Sequence, residues 1–598
     1  MMSPSPTPLA APGRGVRATP ALALALFVVL GFWQSESFMV WSEETMVHSV
    51  PAPVVLSATP GEDGTPRREP SCADAHTPLF VLSDGRPRLT LCAAGRSWPV
   101  MIAPYFAGYF YWPFTVFAGL HHDNVLLLRK LGLLLGAASI LLTYRVVKRL
   151  AGPRIAALGA LSTAVAPCFV VIHAILVHFE TLPWCFLMLA LLAFAGCPGL
   201  VPTRTPAAPP AGDDGFPIWR LAAGGFMTGC ALIANLKTGV LIAPLFFVAH
   251  RLRIPVFRPG IRRWLVVMAA ALVPLIPLIA LAFAPVGGYG DKSSGWQHTL
   301  LAHLTQPQRI LPNARDLILL WSNVPFYFSP VTGTTAFNHA AAAVATAAAC
   351  FVVIDAARTL HRREGCALTA GLGACLVAYL VMVTLLYEDF PANFTPLHTI
   401  YALSIAVAVA RLAERLSRGG AWPWAAVPIA ILALGPFAWN VAQSERAFAD
   451  ARIPTNVRTE LALVDYLLEH IEPGTVNVTV DSQLLGVVDS LSNGSVRTTQ
   501  AESYLRACRP YKGNPDAQAC LHERWQRLLP FVGAGVIRVI MPESFAAWGS
   551  RHIDITPTLE RAAAAAGYTL SLERSFPAPH GAPGIVVYRA VPGPSPAR

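Results

Sequence analysis

Stretches of about twenty apolar residues recur along this chain, and that recurrence constrains its fold more than any other feature. A helix of that length spans the hydrocarbon core of a bilayer. Candidate spans lie near residues 17–38, 124–144, 155–173, 176–197, 221–235, 238–250, 264–286, 338–357, 366–387, 397–410 and 421–441, eleven in all. Composition agrees, since 54% of the 598 residues are hydrophobic and 13% are charged. Soluble domains carry about 25% charged residues. An ordinary core cannot hide so much apolar surface, and the disordered and fibrous classes are excluded by the same values. The 52 prolines and 44 glycines also suit membrane helices, which tolerate both better than soluble ones do. The expected fold class is a polytopic α-helical membrane protein.

The loops orient the spans. Arg14 and Arg17 precede the first. Arg145, Lys148, Arg149 and Arg154 follow the second, and Arg204 and Arg220 flank a later loop. Arg251, Arg253, Arg258, Arg262 and Arg263 come next, followed by Arg358, Arg362 and Arg363 and by Arg411, Arg415 and Arg418. With eleven spans all of these fall on one side, which the positive-inside rule makes the cytoplasm. Reading 221–250 as one helix would put Lys237 in mid-membrane and break the alternation, so that stretch is split. The net charge of +11 is therefore a topology signal, and no nucleic-acid partner is expected. No small-x-small cleavage site follows ALALALFVVL, so the first span reads as an uncleaved signal-anchor.

Residues 1–441 then form a transmembrane domain, with outer loops at 39–123 and 287–337, and 442–598 a separate extracytoplasmic tail. The first loop ends in the aromatic segment WPVMIAPYFAGYFYWPF, suited to a membrane interface. In the tail, TELALVDYLLEHI, LHERWQRLLPFV and TLERAAAAAGY read as helices, and VNVTVD, GVIRVIMP and GIVVYRA as strands, the pattern of a small α/β domain. Four of the 11 cysteines fall outside: Cys72, Cys92, Cys508 and Cys520. They form two local pairs, each a disulfide candidate in an oxidising compartment. The sequons at Asn393, Asn477 and Asn493 fall on the same side, where a eukaryotic host could glycosylate them.

Ionisable groups near membrane depth are costly and default to function. Glu43 and Glu44 follow the first span in WSEETMVH, where a carboxylate at an apolar interface has a raised pKa and suits a general base; a solvated acidic pair is the plain alternative. Arg129, near the outer end of the second span, can bind phosphate bidentately or snorkel to headgroups. His173, His178 and Glu180 sit at the turn between the third and fourth spans. Their spacing is off the i,i+4 of a helical metal pair, so Glu180 is read as polar lining of a cavity and no metal is assigned. Lys237, in NLKTG, can meet a lipid phosphate or simply occupy a short turn. Asp291 and Lys292, in GGYGDKSSG, lack the G-K-[ST] ending of a nucleotide loop. His398 and Tyr401, in FTPLHTIYALS, line the same cavity or anchor the interface.

In this order and spacing the chain resembles the membrane-embedded GT-C glycosyltransferases, in the branch of protein O-mannosyltransferases and the bacterial aminoarabinose transferase of lipid A. The likeness covers roughly 17–441. It rests on WSEETMVH, APYFAGYFYWPF, the run from NVLLLRKLGLLLGAAS to IHAILVHFETLPWCFLMLALL, NLKTGVLIAPLFF and HTIYALSIAVAVA. The resemblance implies an inverting transferase with a polyprenyl-phosphate-linked sugar as donor, working at the outer face of the cytoplasmic membrane without a cofactor. It implies a catalytic base at Glu43 or Glu44, where the family has an Asp-Glu pair, and donor-phosphate contacts at Arg129 and Lys237. His48 joins Glu180, His398 and Tyr401 as cavity lining. A divalent ion is used in some branches and is not indicated here. The acceptor class, lipid, polysaccharide or protein, stays open. The alternative is a transporter or flippase of a polyprenyl-linked or other anionic lipid, although no internal repeat of the transporter kind is present.

Overall fold

The computed structural model describes residues 14–35, parts of 56–107, 124–195 except 176–177, most of 217–279, 336–386 except 364, 395–416, 422–443 and most of 456–593. Helix α1 (Arg14–Ser35) is followed by six short strands, β1 (Leu56–Pro60), β2 (Pro66–Arg68), β3 (Phe80–Ser83), β4 (Arg88–Ala93), β5 (Arg96–Ala103) and β6 (Phe106–Ala107). The apolar body continues with α2 (Val125–Ala151), α3 (Pro153–Ala164), α4 (Pro167–Ala174), α5 (His178–Ala195), α6 (Ile218–Ala234), α7 (Gly239–Arg251), α8 (Ile261–Leu272), α9 (Ala336–Arg362), α10 (Ala367–Leu386), α11 (Thr395–Leu416) and α12 (Trp422–Ala442).

Every expected span overlaps a helix among the described residues, although only 264–276 and 279 of the 264–286 span are described. By length and composition alone, however, the described residues give three spans, in Val125–Ala151, His339–Arg362 and Trp424–Ala442, or four if α3 and α4 are one bent span. Several of the others, such as Ala18–Trp33 and Leu182–Ala195, are shorter apolar helices. The third span is not one helix, because α3 and α4 meet at 60°. Pro167 opens α4 with no N–H to donate, and the preceding Ala166 is extended at φ −67°, ψ 117°. Proline imposes both conditions. The split at 235–238 is also real: α6 ends at Ala234, and the Thr238 N–H donates to the Asn235 carbonyl at 2.9 Å before α7 begins.

One apolar core joins all of these helices except α8. Apolar helices are held together by close packing and interhelical hydrogen bonds. Gly225 and Gly229 of α6 serve the first need: a Cβ there would lie 2.3 Å from the Val267 carbonyl oxygen and 2.1 Å from that of Ala271, both on α8. Between α2 and α5, the Trp184 Nε1–H donates to Thr143 Oγ1 at 3.0 Å and the Ser139 hydroxyl meets the Cys185 thiol at 2.8 Å. Basic residues occupy the last turns of α2 (Lys148, Arg149), α7 (Arg251), α9 (Arg362) and α11 (Arg415), where they also complement the negative end of the helix dipole.

The tail contains α13 (Val457–Glu469), β7 (Val476–Thr479), β8 (Thr498–Gln500), α14 (Glu502–Leu505), α15 (Ala517–Val532), β9 (Ile537–Pro542), β10 (Phe545–Ala547), β11 (Arg551–Ile553), α16 (Thr556–Ala565), β12 (Tyr568–Phe576) and β13 (Ile585–Pro592). All six elements read from the tail sequence are present. The sheet runs β12-β13-β9-β7-β8-β1-β2. β7, β8 and β9 are parallel neighbours, and β12 and β13 are antiparallel additions. Val539 and Met541 pack with α15 and α16 on one face, while Ile540 and Val587 pack with Leu463 and Leu467 of α13 on the other. Burial on both faces is why β9 reads as an almost unbroken apolar run.

Two strands of this sheet come from outside the tail. β1 pairs parallel with β8, Leu56 opposite Thr499 and Ser57 opposite Gln500, and β2 pairs antiparallel with β1. The aromatic segment expected at the interface begins as strand β5, paired between β4 and β6 in a separate four-stranded sheet; residues 108–123 lie outside the described ones. The Cys508–Cys520 disulfide is formed. Cys72 is outside the described residues, and Cys92 is placed only by its backbone in β4. Asn477 lies 5% exposed in β7, so the folded domain does not offer that sequon to a glycosylating enzyme; Asn393 and Asn493 lie outside the described residues.

Candidate functional site

Three parts of the chain meet at the first turns of α2. Arg129, the fifth residue of that helix, is fully buried. Its Nη1 donates to the Ser35 carbonyl oxygen at 2.7 Å. Ser35 is the last residue of α1, where carbonyls have no partner within the helix and the dipole is negative, so a guanidinium is well matched to it. The Ser35 hydroxyl turns back to the Phe32 carbonyl at 2.8 Å. Lys130 lies over the Phe32 ring with its ammonium 5.6 Å from the centroid. The two helices approach closely because Gly31 faces Leu133 and Gly136 faces Phe27, with less than 2.5 Å of room for a Cβ at either.

The tail docks at the same place. Val125 and Leu128, either side of the first turn of α2, pack with Val457 and Val464 of α13 and with Val487 and Leu491. Arg129 thus stands next to the tail contact and grips the end of α1, from which the first loop departs. The guanidinium turns inward onto α1; headgroup snorkelling is not what the structure shows for this residue.

The other candidates divide by what is described. Glu43, Glu44, His48 and Lys237 lie outside the described residues. Lys237 is flanked by Asn235 and Thr238, both buried. Glu180 falls in the first turn of α5 and His398 in the first turn of α11 by backbone, with their side chains outside the described set. Tyr401, one turn further along α11, is half-buried against the helical core. His173 belongs to that core outright. It is 2% exposed, its Nδ1 meets the Phe169 carbonyl at 2.7 Å, and the rings of Phe169 and Phe27 pack on it at 4.1 and 5.9 Å. Among the described residues no group of three or more His, Cys, Asp or Glu side chains is arranged to hold a metal ion.

A second charged constellation, not anticipated from the sequence, lies on the α13 face of the sheet. Arg538 of β9, with a side chain 2% exposed, donates from Nε to both Glu573 oxygens at 3.1 Å, from Nη1 to the His470 carbonyl at 2.8 Å and from Nη2 to Glu472 at 3.1 Å. Arg589 makes a two-point contact with Glu472 at 2.9 Å, and the Tyr466 hydroxyl donates to Glu573 at 2.9 Å. The register between β12 and β13 slips between Leu572 and Arg574. That bulge leaves Glu573 as the extra residue and re-aims its carboxylate. Hydrogen bonding from Arg589 holds the Glu472 carboxyl below its ordinary value. Burial, and then the Glu573 carboxylate, push the Tyr466 hydroxyl up. A carboxylate held ionised by an arginine, as Glu472 is, is a poor proton acceptor, so this cluster braces the domain.

No family model matches the sequence, and no curated protein matches it. Among solved structures the chain is similar to ArnT from Cupriavidus metallidurans bound to undecaprenyl phosphate, at 12% identity and a TM-score of 0.48, covering 95% of this chain and 97% of that one. It is also similar to the oligosaccharyltransferase AglB from Archaeoglobus fulgidus in complex with an inhibitory peptide and a dolichol-phosphate, at 11% identity and a TM-score of 0.45, covering 96% of this chain and 74% of that one. The apo form of the Archaeoglobus enzyme gives 12% identity and a TM-score of 0.45, covering 88% and 69%.

Proposed function

We propose that the chain is a membrane glycosyltransferase that moves a sugar from a polyprenyl-phosphate-linked donor to an acceptor hydroxyl, with inversion at the anomeric carbon. In this reading it crosses the cytoplasmic membrane eleven times, with its N-terminus inside and its tail outside. The observation that carries the reading is Arg129: a fully buried guanidinium near the start of α2, bound to the carbonyl that closes α1, eight residues before the Glu43-Glu44 pair. It accounts for a charge that would otherwise be costly at membrane depth.

The chemistry asks little more of the protein than a base, a cation and a held geometry. One carboxylate of Glu43 or Glu44 takes the proton of the acceptor hydroxyl. The freed oxygen attacks the anomeric carbon from the face opposite the phosphate, and the bond from that carbon to the phosphate oxygen breaks. The polyprenyl phosphate leaves with the electron pair, its growing charge met by Arg129 and Lys237. His48, Glu180, His398 and Tyr401 line the cleft. No divalent ion is indicated, and turnover is expected to persist in the presence of a chelator.

The test is sugar release or transfer in liposomes from a panel of polyprenyl-phosphate sugars, with water as default acceptor. A general base contributes about 10²–10⁴-fold, so one of Glu43→Gln and Glu44→Gln loses turnover on that scale while the other does not. Arg129→Lys keeps the charge but loses the planar fork, and it raises the donor KM at least tenfold. Absence of turnover with every donor, alongside tight lipid binding indifferent to both Glu changes, would replace the transferase with a lipid transporter.

A further inference from the structure

The segment that carries Glu43 and Glu44 is anchored at both ends, and both anchors lead to the same turn of α2. At its start, Ser35 is held by Arg129. At its end, Leu56 enters the tail's sheet as a parallel strand beside Thr499. The tail itself rests on Leu128, the residue before Arg129, through Val457, Val464, Val487 and Leu491. Parallel strands need a crossover or a long connection. Here the partner of β8 is supplied by a piece of chain more than four hundred residues away.

The tail is shaped for this partner. Without β1, the three-residue strand β8 would be the edge of the sheet, with a row of unpaired backbone groups. With β1 in place its Thr498 and Thr499 are buried, at 2% and 1% exposure. α14, immediately after β8, lies against β1, and α15 lies against β2. The Cys508–Cys520 disulfide ties the stretch after α14 to the first turn of α15, bracing the two elements on which the loop strands rest.

We infer that the C-terminal domain is a positioning element for the first loop: by taking β1 and β2 into its sheet while seated on α2, it fixes the far end of the acidic segment relative to Arg129. The inference rests on the transferase reading for its effect on turnover, and on the sheet register for its physical content. The domain's contribution then lies in kcat, through placement of the base, with no share in holding the lipid phosphate.

The test uses the full chain with residues 56–68 replaced by a Gly/Ser linker of equal length. The expected result is affinity for polyprenyl phosphate within twofold of wild type, kcat for donor hydrolysis at least tenfold lower, and an unchanged thermal transition. In the otherwise native chain, Ser57→Cys with Gln500→Cys places two cysteines directly opposite, at a spacing a disulfide accepts. Oxidation is expected to cross-link them with wild-type kcat retained. A linker variant with wild-type kcat would overturn the inference, as would affinity and kcat falling together with the thermal transition, or a cysteine pair that does not cross-link. If the wild-type chain turns over no donor, the transferase reading has failed and the tether is read separately. A Glu44→Cys chain then reacts with a polar maleimide several-fold faster in the linker background than in the native one; equal rates would overturn the tether as well.

Discussion

Arg538 shows what a single buried charge requires of its surroundings. It is the second residue of an otherwise apolar strand, and it is accommodated because three donor nitrogens make four hydrogen bonds to two carboxylates and a carbonyl. Removing one partner from such a set leaves an unpaired buried charge, which costs about 3–5 kcal/mol. Arg538→Met is therefore expected to lower the opening free energy of β9 by that amount, measured by amide hydrogen exchange on the full chain. Adding Glu573→Gln recovers part of the loss, since an amide needs no counter-charge. The pH dependence has a definite sign. Glu472 is held below its reference value of 4.5, first by its hydrogen bonds from Arg589, so its contribution is complete above about 4.5 and fades as the pH falls through the lowered folded value. Arg589→Gln removes that cause. Its deficit relative to wild type is expected at pH 7 and narrows toward pH 3; a deficit constant across that range would assign the effect to packing. None of this was legible in IRVIMP or LERSF, because the pair forms only through a bulge whose register depends on a strand some fifteen residues further on.

At the scale of helices and strands, legibility followed burial. Apolar runs buried on both faces, such as β9, and amphipathic helices such as α13 announced themselves by period. β12 did not: it pairs with β13 alone, and most of its residues face solvent, so TLSLERSF lacks the apolar signal of its neighbours. β1 and β2, LSATP and PRR, carry no strand signal at all; their partner comes from the far end of the chain. The bend between α3 and α4 was written in Pro167, but the hydropathy of the run masked it. Among glycines, close approach separates positions that look alike in the sequence. A Cβ on Gly229 would meet the Ala271 carbonyl oxygen at 2.1 Å, with backbone that cannot swing aside, whereas one on Gly435 of α12 would meet nothing within 4 Å. Gly229→Ala is therefore expected to destabilise the helical body by about 1–3 kcal/mol through overpacking, seen as a lower Tm in detergent. Gly435→Ala is expected to be neutral or slightly stabilising, given the helix propensity gained. Equal effects would mean that α6 and α8 do not pack at this distance.

For the whole molecule, the shared sheet ties together two regions that the arginine pattern had assigned to one side on separate grounds. β1 and β2 belong to the loop after the first span, and β7, β8 and β9 follow the last. A sheet cannot straddle a bilayer, so the proposed topology must place an even number of crossings between Ser35 and Val457. Ten satisfy that condition and agree with the loop arginines; reading 221–250 as one span would leave nine and set the two halves of the sheet on opposite faces. Within the proposed topology parity follows from hydrogen bonding, and the choice of outer side from the positive-inside rule. Fusion reporters read both. Alkaline phosphatase, active only where disulfides form, is expected to be inactive when fused after Arg154 or Arg363 and active when fused after Arg598. If the Arg598 fusion is inactive and the other two active, the molecule is inverted and its acidic loop faces the cytoplasm. If all three behave alike, the crossings between them are wrong in number, and the sheet joining loop to tail could not form in the membrane.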